Sequence, residues 1–430
     1  MAANANESPA GMGRAQSGVN TAMIAMFALL LVGYTINAMD RQVFPTLLVA
    51  VRHDLGFGAT QAGLQSTVFS LGIGLLGLPT GYLMRRFPRK PIVIFGTCLF
   101  SAATALTCLS AGFWDMLIWR VLSGVGESLQ FTALLAIAAA AFPARRGLAI
   151  GTVNICFALG ALIGPAIGGA VLDATGQWRI PEIAFAIAGG VAAVLIAAFV
   201  RRGLTERKDG QDGGNVIVGG AERYLNRNMV LLVAMTALGG LVDFGFLGMY
   251  ATFLQTVHHY SAGESGIVTG VSGAGAFLSF FGGHLGDRYP ARIVLPVSYA
   301  VTGLSGLAVF LGPSAFAWQL IFALIFGLAF SAGAFVLLAG FIVKSVDVRR
   351  AATASGIYVT SLYIPAAFAG MLLSALAQAL GWGAAAAIQI VLGSAIATVI
   401  GLFLKQAQFS AVVSAGYPEQ EFRVDTFPAA

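Results

Sequence analysis

Five ionisable residues stand where charge is costly. Asp40 and Arg41 adjoin, Arg120 and Glu127 lie seven residues apart, and Asp243 stands alone, each within an otherwise apolar run. A charge at the centre of a helix in a bilayer costs roughly 2.5–3.5 kcal/mol on insertion scales. Four of the five can cancel in pairs, two arginines against two carboxylates, so pairing between the first and fourth apolar runs is expected. A spacing of seven is two helical turns, which puts Arg120 and Glu127 on one face. The chemistry on offer is proton exchange at carboxylates and anion recognition at guanidinium groups. Desolvation favours a neutral acid and a neighbouring arginine favours the ionised one. An acid poised between these effects can load a proton on one side of a membrane and lose it on the other. An anion that occupies the arginine removes the acid's partner and favours protonation, and such coupling is reciprocal. Arginine's planar fork matches the two oxygens of a carboxylate or phosphate. The competing reading is a structural salt-bridge network that locks the N-terminal helices, and the two readings overlap.

The elements that must carry these residues follow from composition. The chain has 430 residues, 58% hydrophobic and 10% charged, with mean hydropathy +0.84. Soluble domains average about 25% charged residues, so this chain lacks the charges to cover a water-exposed surface. A helix crosses the ~30 Å hydrocarbon core with about 20 apolar residues. Residues 21–39, 55–84, 91–114 and 147–172 contain no Asp, Glu, Lys or Arg. Residues 293–343 and 351–404 are also free of them and each holds two spans, broken at Gly312-Pro313-Ser314 and Gly381-Trp382-Gly383. The pattern predicts twelve helices at 21–47, 60–84, 91–111, 116–142, 148–172, 183–200, 229–257, 265–285, 293–312, 315–341, 352–379 and 382–404. The first is too long for a signal-peptide core and is followed by further spans, so it reads as a retained helix. Cys98, Cys108 and Cys156 all fall inside predicted spans without a C-x-x-C pair, and the four histidines do not cluster. A disulfide framework and a metal site are therefore not expected.

Charge placement orients the chain. With the N-terminus in the cytoplasm, 20 of the 24 Lys and Arg residues fall in segments on that side and two, Arg52 and Arg179, on the other. This positive-inside bias puts both termini in the cytoplasm. It also accounts for the net charge of +6 without a nucleic-acid partner.

The chain repeats itself. Residues 81–90 read GYLMRRFPRK and 283–292 read GHLGDRYPAR; Arg145-Arg146 opens the fifth helix and Arg349-Arg350 the eleventh; Asp40 sits in the first and Asp243 in the seventh. The offsets are 202, 204 and 203 residues, which argues for a six-plus-six duplication. The organisation is then a cytoplasmic tail at 1–20, a six-helix bundle at 21–200, a Gly-rich charged linker at 201–228, a second bundle at 229–404 and a cytoplasmic tail at 405–430. Two parallel halves, each with a loop reading G-x-x-x-[D]-R-x-x-x-[RK], resemble the major facilitator superfamily. In the first copy Gly81, Arg86 and Lys90 fit, Arg89 adds charge, and Arg85 replaces the usual acid. In the second copy Gly283, Asp287 and Arg288 fit. The resemblance implies a substrate cavity between the bundles near the midplane and a cytoplasmic gate held by the loop acid. Residues 160–169, GALIGPAIGG, fit a second motif of that family through Gly160, Gly164, Pro165, Gly168 and Gly169. Its expected role is structural, because small residues admit close helix packing and proline kinks the helix.

The strings NAMDR at 37–41 and RVLSGVGES at 120–128 resemble two branches of that superfamily. One is the anion:cation symporters, which take up organic acids with protons. The other is the Spinster-like proteins, associated with lysolipid and sphingolipid export. The match implies Asp40 and Glu127 as proton-linked carboxylates, with Arg41 and Arg120 as anion contacts or partners of those acids. Asp243 is a candidate second proton site, and Asn37, Asn154, Tyr250, Tyr358, Ser361 and Tyr363 are candidate pocket residues. The reading is a proton-coupled carrier of small organic anions, with an exporter of lysolipids or amphipathic compounds as the alternative. It implies a monomer in the cell inner membrane with no cofactor beyond the proton. No phosphate loop, metal cluster or nucleophile set supports an enzyme. The linker and tail are too short for the output domain a membrane sensor would need.

Overall fold

The computed structural model describes residues 21–77, 79–142, 145–206, 215–218, 220–347 and 350–414. In lipid every backbone N–H and C=O must be paired within its segment, so long apolar runs become helices. Eleven helices among the described residues are long and apolar enough to cross a membrane. Numbered by span, these are α1 (Thr21–Leu55), α3 (Arg89–Cys108), α4 (Phe113–Ala141), α5 (Arg146–Thr175), α6 (Arg179–Phe199) and α7 (Arg227–Val257). The rest are α8 (Ala262–Arg288), α9 (Ala291–Leu311), α10 (Phe316–Lys344), α11 (Ala351–Leu380) and α12 (Trp382–Leu402).

The second expected span, α2, is divided into Ala59–Thr67, Phe69–Leu76 and Pro79–Arg86. Gly72, Gly74, Gly77 and Pro79 crowd its second half, and glycine and proline are the weakest helix formers. With it the described residues form twelve segments in two bundles of six. Helix ends also depart from expectation: α1 runs on to Leu55, beyond the expected 47, and the start of α6 differs. It begins at Arg179 and not at 183, with Pro181 in its first turn, where proline is tolerated because the N–H has no helical partner. Glu182 is thereby drawn into the bundle.

Apolar side chains face outward throughout: Val32, Phe95, Val194, Phe280 and Leu304 are all exposed, as lipid requires. The linker is anchored at both ends. Glu206 accepts from the backbone amides of Arg89 and Lys90, each at 3.0 Å, capping α3. Asn226 caps α7 by accepting from the Met229 amide. Asn215–Val218 of the linker pairs antiparallel with Ala411–Ser414 beyond α12.

The bundles meet tightly at the end away from the chain termini. Between α2 and α11, Thr67 Oγ1 donates to Ala367 O at 2.9 Å, Ser374 Oγ to Ala59 O at 2.8 Å and Gln378 Nε2 to Thr60 Oγ1 at 2.7 Å. Gly63 and Gly370 face each other there, and a Cβ on either would strike the other's carbonyl oxygen. Between α5 and α8, the Asp173 carboxylate accepts from the amides of Ala262 (3.0 Å) and Gly263 (2.7 Å), a favourable anion position at a helix N-terminus. The α5 motif has a packing role within the N-terminal bundle. A Cβ on Gly160 would fall 2.5 Å from Ala38 Cβ, and one on Gly164 2.6 Å from Met39 O. These glycines seat α5 against α1 beside Asp40 and Arg41, and Pro165 lies within α5.

Candidate functional site

Successive residues on a helix point about 100° apart, so adjacent Asp40 and Arg41 face different surroundings. Asp40 is 1% exposed and turns toward α3, where Thr104 Oγ1 donates to its Oδ2 at 2.7 Å. Arg41 faces the interface between the bundles. Its guanidinium lies over Phe157 at 4.7 Å and Phe69 at 5.9 Å, and Nη1 is 3.9 Å from Glu127 Oε2. Ser123 Oγ donates to the other Glu127 oxygen at 3.1 Å. The expected pairing across α1 and α4 is thus present for Arg41 and Glu127, at the long edge of an ion pair.

Arg120 departs from that expectation, since no salt bridge joins it to Asp40 among the described residues. Its Nε donates to Gln65 O at 3.3 Å, and its guanidinium stacks on Phe44 at 3.8 Å and on Phe69 at 5.5 Å. Cation–π contact gives up to about 2 kcal/mol when desolvated, which offsets part of the cost of burying this charge. Arg120 acts on Glu182, Asp40 and Glu127 through longer-range electrostatics.

A cavity of about 1030 Å³ of empty volume, open solvent at its mouth included, lies between the bundles. Its N-terminal wall holds Tyr34, Arg41, Gln42, Phe131, Asn154 and Phe157. Its C-terminal wall holds Asp243, Phe244, Leu247, Phe335, Val336 and Tyr363. Two irregular windings shape that second wall, a 3₁₀ stretch at Ala274–Leu278 in α8 and a π stretch at Leu328–Ala334 in α10. Ala276 and Ser331 from these stretches line the cavity. Asp243 interacts electrostatically with Arg41 from the opposite wall.

Of the residues expected at the pocket, Arg41, Asn154, Asp243 and Tyr363 line it. Arg120, Asp40 and Glu127 lie behind the wall, each under 4% exposed. Four others are corrections to the expected lining. Asn37 is buried with its Nδ2 donating to Gln130 Oε1 at 2.7 Å. Tyr250 is fully buried, its hydroxyl donating to Gln319 Oε1 at 2.9 Å and its ring stacked on Phe246 at 4.5 Å. Tyr358 donates to Phe335 O at 3.0 Å, and Ser361 Oγ to Tyr358 O at 3.0 Å. The common cause is that a buried hydroxyl or amide needs a partner, and these side chains find theirs within the protein and not at the cavity surface.

In the second loop motif Asp287 accepts from Lys344 Nζ at 2.7 Å, an ion pair inside the C-terminal bundle, while Arg288 is exposed. At Gly283 a Cβ would meet nothing within 4 Å. In the first motif Arg86 donates to the Tyr82 hydroxyl, and Arg89 Nη1 donates to Ala136 O at 3.4 Å. The side-chain placements of Gly81 and Arg85 lie outside the described residues.

One functional candidate escaped sequence reasoning. Glu182 in α6 is 0% exposed and neither carboxylate oxygen has a hydrogen-bond partner among the described residues. The signal that would have found it is Pro181, since proline in a first turn marks a helix start and puts the next residue inside the helix.

A family model described as the Major Facilitator Superfamily matches residues 30–370 and 267–426. Among similar proteins, a hexuronate transporter of Bacillus subtilis is 24% identical over 262 residues, 59% of this chain and 62% of its own length. A sphingosine-1-phosphate transporter of Danio rerio is 29% identical over 42% of this chain and 37% of its own length. A probable chloroplastic anion transporter of Arabidopsis thaliana is 30% identical over 36% of this chain and 30% of its own. The matched stretches thus span less than two thirds of these relatives. Among solved structures, a bacterial homologue of the human lysosomal transporter Spinster, in an inward-facing and occupied conformation, superposes with a TM-score of 0.70 at 20% identity. That match covers 90% of this chain and 95% of the other.

Proposed function

From the premise that the chain belongs to the Major Facilitator Superfamily, we propose that it is a proton-coupled secondary transporter of small organic anions that works by alternating access. The observation that carries this reading is Arg41, on the cavity wall with Glu127 Oε2 3.9 Å behind it. A carboxylate entering the cavity draws the Arg41 guanidinium toward itself. Glu127 then loses its countercharge while still buried, and a buried carboxylate without a partner is costly enough to take up a proton. Release of the anion returns Arg41 to Glu127 and expels that proton. Substrate and proton therefore load together, which is symport. Asp243 limits the pocket to one strong anionic contact, since a second acid faces Arg41 from across the cavity.

The positive-inside distribution supports a reading with both termini on the cytoplasmic side of a cell inner membrane. On that orientation the α2–α11 and α5–α8 contacts join the bundles toward the outer side. The working unit is a monomer and the proton is its only cofactor. A second reading is export of an anionic amphiphile. It is favoured by the apolar part of the C-terminal wall, Phe244, Leu247, Phe335 and Val336, which suits an acyl chain more than a sugar acid. Uptake of galacturonate and of a lysophospholipid into proteoliposomes, with and without an imposed proton gradient, separates the two.

A further inference from the structure

The charges inside the N-terminal bundle do not balance. Asp40, Glu127 and Glu182 are each at most 2% exposed, and two guanidinium groups, Arg41 and Arg120, act on them. Arg41 is held between Glu127 and the cavity. Arg120 is left to serve Asp40 and Glu182 together: Asp40 is tied to α3 at Thr104, and one turn further along α3 Cys108 meets Arg179, one turn before Glu182. One cation neutralises one carboxylate. Among the described residues, the helices packed against α6 bring no second cation to Glu182: α1 brings Asp40, and α3 brings Thr104 and Cys108. Arg179, on α6 itself, is bound to Asp54 at 2.6 Å and to Cys108 O at 3.0 Å. On α5, Asp173 is bound by the amides of Ala262 and Gly263.

The polar atoms of this cluster are also incompletely satisfied. Asp40 Oδ1, both oxygens of Glu182 and Arg120 Nη2 have no hydrogen-bond partner among the described residues. An ionised carboxylate in that position is strongly disfavoured, whereas a neutral carboxyl carries no charge to compensate and can donate its own hydrogen bond. We propose that Asp40 and Glu182 share one exchangeable proton about Arg120, and that this set is a second proton site, set behind the cavity wall and separate from Glu127. The adjoining guanidinium disfavours a metal cation in the same place. Neither acid lines the cavity, so the proton does not occupy the substrate's contacts. The two arginines share one ring, Phe69, at 5.5 Å from Arg120 and 5.9 Å from Arg41. Arg41 moving onto an anion therefore alters the packing of Arg120, which links this site to the cavity. The link to transport rests on the proton-coupled reading above, but the presence of the proton does not.

The test uses the full chain in proteoliposomes and reads the infrared carbonyl band of protonated carboxyl groups as pH is raised. Glu182→Gln is expected to remove one protonated-carboxyl band that Glu127→Gln leaves in place. Glu182→Asp, which keeps the acid, is expected to shift that band and retain it. Identical bands in wild type and Glu182→Gln would overturn the proposal, as would loss of the band on adding sodium at fixed pH, which would mark a metal-cation site. Galacturonate transport, measured in parallel, isolates the other failure. Wild-type accumulation indifferent to a proton gradient would remove the coupling reading, whatever the bands show. With wild-type coupling present, Glu182→Gln is expected to lower gradient-driven accumulation about tenfold while counterflow without a gradient persists. Equal loss of both would assign Glu182 a structural role in transport.

Discussion

The two bundles share one plan and differ in what they bury. Asp40 and Asp243 stand 203 residues apart, at corresponding places in α1 and α7. At the same offset, Arg41, Arg120, Glu127 and Glu182 of the first bundle correspond to Phe244, Ala323, Phe330 and Ala385 of the second, all buried. Where the N-terminal bundle spends its interior on charge, the C-terminal bundle stacks aromatic rings, with Phe246 3.8 Å from Phe326 and 4.5 Å from Tyr250. Buried charges are costly without partners, whereas apolar packing has no such demand. On the proposed function, the difference assigns proton handling and anion recognition to the first bundle. It leaves the second as a shaped wall whose 3₁₀ and π windings and single acid set the cavity's contour.

The largest expected effect comes from a paired test of that asymmetry. Glu127→Gln is expected to lower proton-driven accumulation by about 10²-fold while counterflow continues. Asp243→Asn, at the acid on the second bundle's cavity wall, is expected to cost less than about tenfold in the same assay. Equal damage from the two would break the division between the bundles. Next in size, Arg41→Lys keeps the charge and loses the fork, and is expected to raise the galacturonate half-saturation concentration about tenfold, close to 1.4 kcal/mol. Unchanged half-saturation would take Arg41 out of the substrate's path. Replacing Gly370 by Val sharpens the comparison from the side of the interface, because the new side chain would strike the Gly63 carbonyl. The rim that joins the bundles is then expected to open, read as faster labelling of a cysteine placed at Thr67 by a membrane-impermeant thiol reagent.

The smallest effect is at Glu206. Burial works to raise its carboxyl, but the amides of Lys90 and Arg89 outweigh this and hold it below the usual carboxylate range. A folded value below the unfolded one gives a stabilising contribution that is present above the ordinary carboxylate range and is lost as pH falls through the folded value. Glu206→Gln is expected to cost less than about 1 kcal/mol at neutral pH, as for a helix cap. The melting difference from wild type should vanish in acid, and a difference that grew in acid would reverse the assignment.

Much of this was legible in the sequence because lipid imposes a simple rule. Apolar runs of sufficient length must be helices, and charges within them must be functional or paired, so Asp40, Arg41, Arg120, Glu127 and Asp243 stood out on composition alone. The repeat was visible because Asp243 and the 283–292 loop kept their spacing. What was hidden depended on rotation and on helix starts. Tyr250 and Tyr358 looked like pocket residues, but which face a helix turns inward is decided by partners such as Gln319 and the Phe335 carbonyl, which sequence spacing does not supply. Glu182 was assigned to a loop because the apolar run begins after it, although Pro181 already marked the helix start. The second break of α2, after Leu76, was foreshadowed by Gly74, Gly77 and Pro79; Gly74 and Gly77 pack against α11, whereas Gly72 packs against α4.

The central claim is that an anion entering the cavity and a proton on the N-terminal bundle load together. Proteoliposome uptake of galacturonate and of a lysophospholipid, each with an inward proton gradient imposed and then collapsed, tests it directly. Accumulation of galacturonate that requires the gradient, and that Glu127→Gln abolishes while sparing counterflow, is the result predicted. Galacturonate left outside in both conditions, with the lysophospholipid moved instead, would contradict it.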